Sequence, residues 1–236
     1  MIAPRDVLDL PDIPRWIEAH GIAADPASTR RELAAGYALI SDRARLIVLV
    51  GDADPAAVSA LANELARHTL LVPIERADLA AATGRRVERA VLHTLPEDVT
   101  GDRGAGAHQA ALAGLELDGA VALPPESSLA HLPPALADEL EAARPHRTIW
   151  TAFLDGVPVS FAYAPWRSAR WFDVSVDTLP AARQLGLGRL VAAAMIRGEA
   201  AHGRAPVWGA DEGNLASLRL ARSLGFVQVD AVWVAS

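Results

Sequence analysis

The residues best spaced for chemistry lie between Val176 and Gly188, in the run Val-Asp-Thr-Leu-Pro-Ala-Ala-Arg-Gln-Leu-Gly-Leu-Gly. A strand enters a short loop holding Gly186 and Gly188, and a helix leaves it. The first turn of a helix presents unpaired N–H groups and the positive end of its dipole, which together favour phosphate. Glycine at 186 and 188 removes the Cβ atoms that would hold a pyrophosphate away from the backbone. Arg183 and Arg189 add local positive charge to a chain of formal net charge −7. The same glycine spacing also describes a tight strand-to-helix turn without a ligand. A second segment runs from Asn214 to Phe226. Leu215, Leu218, Leu220 and Leu224 form its apolar stripe, Asn214 is an N-cap, Ser217 lies on the first turn, and Gly225 ends the helix.

Other chemistries are excluded or disfavoured. With no cysteine, the chain has no disulfide, thiolate metal site or acyl-cysteine intermediate. Its seven histidines lack metal-ligand spacing, so no metal is expected. The Gly101–Gly106 run lacks the Lys-Ser/Thr of a phosphate-binding P-loop and reads as a connection. The turn Gly51-Asp52-Ala53-Asp54 carries two carboxylates that would repel phosphate. Asp54 therefore reads as a cap, with Pro55 at the first helical position. An acidic chain does not suit nucleic acid. The N-terminus has Asp and Pro where a signal peptide needs an apolar run, and no apolar stretch approaches about 18 residues. A cytoplasmic protein with no membrane partner, monomeric or homodimeric, is expected.

At 236 residues, 51% of them hydrophobic, the chain can form one large domain or two small ones. Its pattern is α/β. Residues 5–19 read as a helix stopping near Gly21, and residues 23–31 as a turn and a new helix start. Strands follow at Tyr37–Ser41 and Leu46–Val50, then a helix over 55–67, a strand at Leu70–Ile74 and a short helix over 76–82. Val87–Leu95 is β-rich, 98–106 is a loop, and 107–117 suits a helix. Leu123–Pro134 is a connector, and 135–144 is a helix. Thr148–Leu154 and Val157–Ala164 flank Asp155-Gly156, a hairpin signal. Trp171–Thr178 is a strand, 187–201 a helix, Pro206–Ala210 a strand, and Phe226–Val234 the last strand. The boundary falls at 84: residues 1–84 form an N-terminal α/β domain, and 85–236 the domain with the motifs.

The two motifs, in this order and spacing, resemble the GNAT superfamily of acyl-CoA-dependent N-acyltransferases. Its pyrophosphate loop reads Arg/Gln-x-x-Gly-x-Gly/Ala, matched by Arg183-Gln-Leu-Gly186-Leu-Gly188. Its later helix reads Asn-x-x-Ser/Ala-x-x-Leu, then Leu-Gly-Phe, matched by Asn214, Ser217, Leu220 and Leu224-Gly225-Phe226. The resemblance covers about 147–236; Val87–Leu95 and the helices to 144 can supply the family's first strand and first helices. It implies a mixed sheet flanked by helices with a splay between two central strands, and acetyl-CoA as acyl donor. The strand backbone at Val176 and Thr178 would bond the pantetheine amides. The loop from Arg183 through Gln184, Leu185, Gly186, Leu187, Gly188 and Arg189 would hold the pyrophosphate. Asn214 and Ser217 would approach from the other side. The N-terminal domain, with strand, strand, helix, strand, helix, reads as a degenerate half-copy that shapes the acceptor site.

The implied reaction is acetyl transfer to an amine of unknown identity, by direct attack in a ternary complex. An amine with pKa about 10.4 is mostly protonated at neutral pH and needs a base. Asp173 and Asp177 share a strand face with Ser175 between them. Asp211 and Glu212 are further candidates, and Ser217 can assist the leaving thiolate. Each carboxylate also reads as a solvated or capping group. Many family members place a Tyr where this chain has Ala221, and Tyr163 is more simply a packed strand residue. The alternative is therefore a catalytically impaired CoA-binding or partner-binding module.

Overall fold

A computed structural model describes residues 10–96 and 119–236. The loop read at 98–106 and the helix read at 107–117 lie outside the described residues. A 3-10 turn, Pro14–Trp16, leads into α1, Ile17–Ala24, which runs through Gly21 instead of stopping there. The helix start expected within 23–31 is instead a turn. The Asp25 side chain accepts from the Ala27 N–H at 3.0 Å, and β1 begins at Thr29 and runs to Ser41. Then come β2 (Leu46–Ala53), α2 (Pro55–Glu64), β3 (Thr69–Pro73), α3 (Ala77–Ala82) and β4 (Val87–Thr94). Asp54 caps α2, accepting from the Ala57 N–H at 2.9 Å. The second half holds β5 (Ala120–Ala122), α4 (Pro134–Ala143), β6 (Trp150–Leu154), β7 (Val157–Tyr163), β8 (Trp171–Asp173) and β9 (Ser175–Thr178). It ends with α5 (Leu187–Ala200), β10 (Ala205–Asp211), α6 (Leu215–Ser223) and β11 (Val227–Ala235).

Two sheets result, a seven-stranded one in the order β1-β2-β3-β11-β4-β10-β8 and a four-stranded one in the order β5-β6-β7-β9. The same succession occurs twice: β1, β2, α2, β3, α3, β4, then β7, β8 with β9, α5, β10, α6, β11. Each copy has a parallel pair joined through a helix, β2 with β3 and β8 with β10. The last strand of each copy pairs with the parallel pair of the other. β11 lies antiparallel to β3, β4 antiparallel to β10, and β4 and β11 pair with each other at the centre. Hydrogen bonding is thus continuous across residue 84.

Val87–Leu95 does not supply the first strand of the motif-bearing half; β5 pairs with β6 at that edge. The reason lies in β4's pattern, buried from Ala90 to Thr94 without alternation, which suits a central strand covered on both faces. One core packs α5 and α6 on the sheet around Val191, Met195, Trp208 and Phe226. A second packs α2 and α3 against Ile47, Leu49, Leu70 and Val72. No helix among the described residues is long and apolar enough to cross a membrane.

Candidate active site

The strand expected over Trp171–Thr178 is divided at Val174, and this division makes the site. Trp171, Phe172 and Asp173 pair in parallel with Ala205, Pro206 and Val207, and the Val174 N–H donates to the Val207 carbonyl at 2.9 Å. Beyond that bond the strands separate. β9 continues on β7, with Ser175 opposite Tyr163 and Thr178 opposite Ser160, while β10 continues on β4. A V-shaped opening results. The Leu179 N–H donates to Val159 on the β7 side at 2.9 Å. Backbone groups alternate along a strand, so those of Val176 and Thr178 face into the V. Their side chains pack towards α5.

At the mouth of the V, the Arg183 Nε donates to the Thr178 carbonyl at 3.1 Å, and Gln184 takes a left-handed φ of 64°. Gly186 follows at φ 79° as the N-cap of α5, with open space where a Cβ would stand. Leu185 is exposed. The bond from the Leu190 N–H to the Gly186 carbonyl, 3.1 Å, opens the helix and leaves the N–H groups of Leu187, Gly188 and Arg189 ahead of it. A Cβ on Gly188 would stand 3.2 Å from Thr178 Oγ1 and 3.4 Å from Leu220 Cδ2, so glycine lets the helix start seat on β9 and α6. The segment can cradle an anion at the mouth of a slot whose wall offers strand amides. Those groups suit a pyrophosphate carrying an amide-containing arm.

Inside the V lies a cavity of about 430 Å³. Asp173, Val174 and Ser175 form one wall, and Gly209, Ala210 and Asp211 the other. Asn214 and Ser217 close the α6 side. Asn214 caps that helix, accepting from the Ser217 N–H at 3.2 Å. The Ser217 hydroxyl oxygen accepts from Trp208 Nε1 at 2.9 Å, so its own proton is left to point elsewhere. Asp177 is exposed and does not line the cavity. Partial burial pushes its carboxyl up, and nearby Arg183 opposes this. Asp211 stands exposed on the rim, and Glu212 is paired with Arg89 at 2.6 Å. Ala221 is fully buried in the α6 core.

Three lining side chains come from elsewhere in the chain. Glu18, on α1, lines the cavity together with Asp173. Burial pushes Glu18 up to about 8, with the Asp173 charge adding to the effect. Burial likewise pushes Asp173 up to about 7, opposed by a hydrogen bond from its own strand backbone at Val174. The pair therefore titrates as a unit in the range where a general base works. Glu139, on α4, accepts a hydrogen bond from the Tyr163 hydroxyl. Burial, then that bond, raises the phenol and keeps it protonated, so Tyr163 belongs to the cavity wall. Apolar positions such as Ile17, Ala19 and Ile22 mark α1 as packed, but no local pattern marks Glu18 as facing Asp173.

The N-terminal segment is pinned by both halves. Arg15 clamps Asp230 of β11 at 2.8 and 2.6 Å and Glu75 at 2.8 and 2.7 Å. The Trp171 indole donates to the Asp12 carbonyl at 2.9 Å, and the Arg170 N–H donates to the Asp12 carboxylate at 3.0 Å. Ile17 packs with Trp171, Ala205 and Val207. Ala19 and Ile22 pack against Leu39, Val48 and Val50 of the first half. Among the described residues no cluster of His, Asp and Glu is arranged for a metal.

Residues 151–233 match the GNAT acetyltransferase family. No curated protein sequence matches the chain. Solved structures share the fold over nearly its whole length. A GCN5-related N-acetyltransferase-like protein from Streptococcus suis aligns at 18% identity and TM-score 0.65, covering 98% of this chain and 97% of that one. A GCN5-related N-acetyltransferase from Kribbella flavida aligns at 20% identity and TM-score 0.56, covering 100% and 95%. A tandem GNAT protein from the clavulanic acid biosynthesis pathway aligns at 16% identity and TM-score 0.50, covering 100% and 96%. The last agrees with the twofold succession of elements.

Proposed function

We propose that this chain, a protein of the GNAT superfamily, is an N-acetyltransferase that moves an acetyl group from acetyl-CoA to a primary amine. One observation carries the reading: the V between β9 and β10 opens from an anion-receiving helix start to a raised carboxyl, Asp173.

The N–H groups of residues 184–189 hold the pyrophosphate. The Val176 and Thr178 backbone holds the amide-bearing arm and directs the thioester to the floor of the V. Asp173 takes a proton from the incoming ammonium, directly or through one water. The amine nitrogen then bonds to the acetyl carbon as the carbon–sulfur bond breaks. A thiol of this kind has a pKa near 8.5, so its thiolate leaves with little acid assistance. The nitrogen's second proton passes through Ser217 or water to the departing thiolate, and Asp173 releases the ammonium proton to solvent. The chain has no cysteine and forms no acyl-enzyme. Asp177 remains outside the cavity, near the Arg183 charge.

The test is thiol release from acetyl-CoA across a panel of amines, with Asp173→Asn alongside and a thermal shift measured for each protein. Amine-dependent release by wild type, lost in the variant while the acetyl-CoA shift persists, supports the assignment. The buried Ala221 at the family's tyrosine position favours a second reading, a CoA-binding module without turnover. A thermal shift with no thiol release on any amine would select it.

A further inference from the structure

The cavity has a floor that the donor does not use. Leu92 of β4, Val232 of β11 and Leu71 of β3 line it on one face of the central sheet. Beside that floor stand Glu18 and Asp173, and among the described residues no Lys, Arg or His lines the cavity. The nearby Arg15 is committed to Asp230 and Glu75. We propose that the acceptor is a small primary amine with an apolar body, its ammonium held between Glu18 and Asp173 and its hydrocarbon laid on Leu71, Leu92 and Val232. The proposal rests on the acetyltransferase reading and names its substrate class.

The arrangement of charge and apolar surface selects this class. Two carboxylates facing one cavity repel each other, and an ammonium between them supplies the missing counter-charge. The remaining carboxylates are placed differently. Glu139 is engaged by Tyr163, and Asp211 is on the exposed rim, where water screens it. A polyamine would have to lay further ammonium groups on the apolar floor, and an aminosugar its hydroxyls, each without a partner. A hydrocarbon chain or an aryl ring loses nothing there and leaves water. Half of the ammonium site comes from α1, which precedes the first repeat and is clamped through Arg15, so the N-terminal half of the chain acts as a builder of the acceptor pocket. Glu18 is its specificity-determining residue.

The experiment is titration calorimetry on the full chain at pH 7, with and without saturating CoA, using 2-phenylethylamine, 2-phenylethanol, spermidine and glucosamine. The amine with the apolar body is expected to bind at least tenfold tighter than the other three. Glu18→Gln is expected to weaken it about tenfold while leaving the neutral alcohol unchanged. Val232→Ser is expected to weaken the amine and the alcohol alike. Both variants keep the acetyl-CoA thermal shift, which reports the donor site and confirms folding. Tighter binding of spermidine or glucosamine, indifference to Glu18→Gln, or no amine binding at all overturns the proposal. If acetyl-CoA gives no shift in wild type, the transferase reading fails, while 2-phenylethylamine binding to the CoA-free protein still decides the acceptor class.

Discussion

Replacing Glu18 by Gln is expected to stabilise the protein at pH 8 and to leave it nearly unchanged at pH 5. In the folded protein the Glu18 and Asp173 carboxyls lie above their unfolded values of about 4, at about 8 and about 7. The folded state therefore binds protons more tightly than the unfolded chain. The stability this contributes is complete below about pH 4 and is lost as pH rises through the folded values. One proton retained over one pH unit corresponds to about 1.4 kcal/mol. The cavity is open to water, so the substitution returns about that much and not the full displacement. Glutamine keeps the shape, removes one charge and relieves Asp173. The gain at pH 8 is then about 1–2 kcal/mol, or about 3–6 °C in Tm for a chain of this size. Ion pairs such as Glu199 with Arg167 and Arg204 titrate in both proteins and cancel in the difference. Circular dichroism melts of both proteins from pH 5 to pH 9 give that difference directly. A difference independent of pH, or a less stable variant at pH 8, refutes the coupling of Glu18 to Asp173.

Asp173→Asn is expected to lower the initial rate of thiol release by about 10²–10⁴-fold, as removal of a general base does, with the acetyl-CoA thermal shift retained. Gly188→Val places a branched side chain against Thr178 and Leu220; it is expected to cost about 1–3 kcal/mol in a denaturant melt and to abolish that shift. Gly186→Ala meets no atom but must hold φ 79°, so it is expected to cost only about 1 kcal/mol and to weaken acetyl-CoA binding less. Arg15→Ala leaves Asp230 and Glu75 without their cation and loosens α1. Steady-state kinetics is expected to show a raised KM for the amine with the KM for acetyl-CoA unchanged.

The glycine loop and capped helix proposed to hold the donor are legible in the sequence because their determinants are local. Gly186 and Gly188 sit where a strand becomes a helix, and their consequence, an open helix start, needs no distant partner. Asn214 caps the helix that carries Ser217 for the same reason. Asp173 is accessible to period-two reasoning, but that reasoning treats 171–178 as one strand and so groups Asp173 with Asp177. The division at Val174 is not local. It exists because β8 bonds to β10 and β9 bonds to β7, and neither partner is encoded in the strand itself.

The cavity proposed to take the acceptor was decided by tertiary structure alone. Glu18 reaches Asp173 because Arg15 clamps Asp230 at a bulge in β11 and because Ile17 packs under Trp171. The apolar floor joins strands of both repeats, which become neighbours only when β4 and β11 exchange places at the sheet's centre. What the sequence determined by itself is the chemistry that backbone geometry can supply within a dozen residues: a glycine loop, a capped helix and a hairpin. What only the tertiary structure decided is which charges share one desolvated space, because desolvation and Coulomb interaction depend on distance in space and not along the chain.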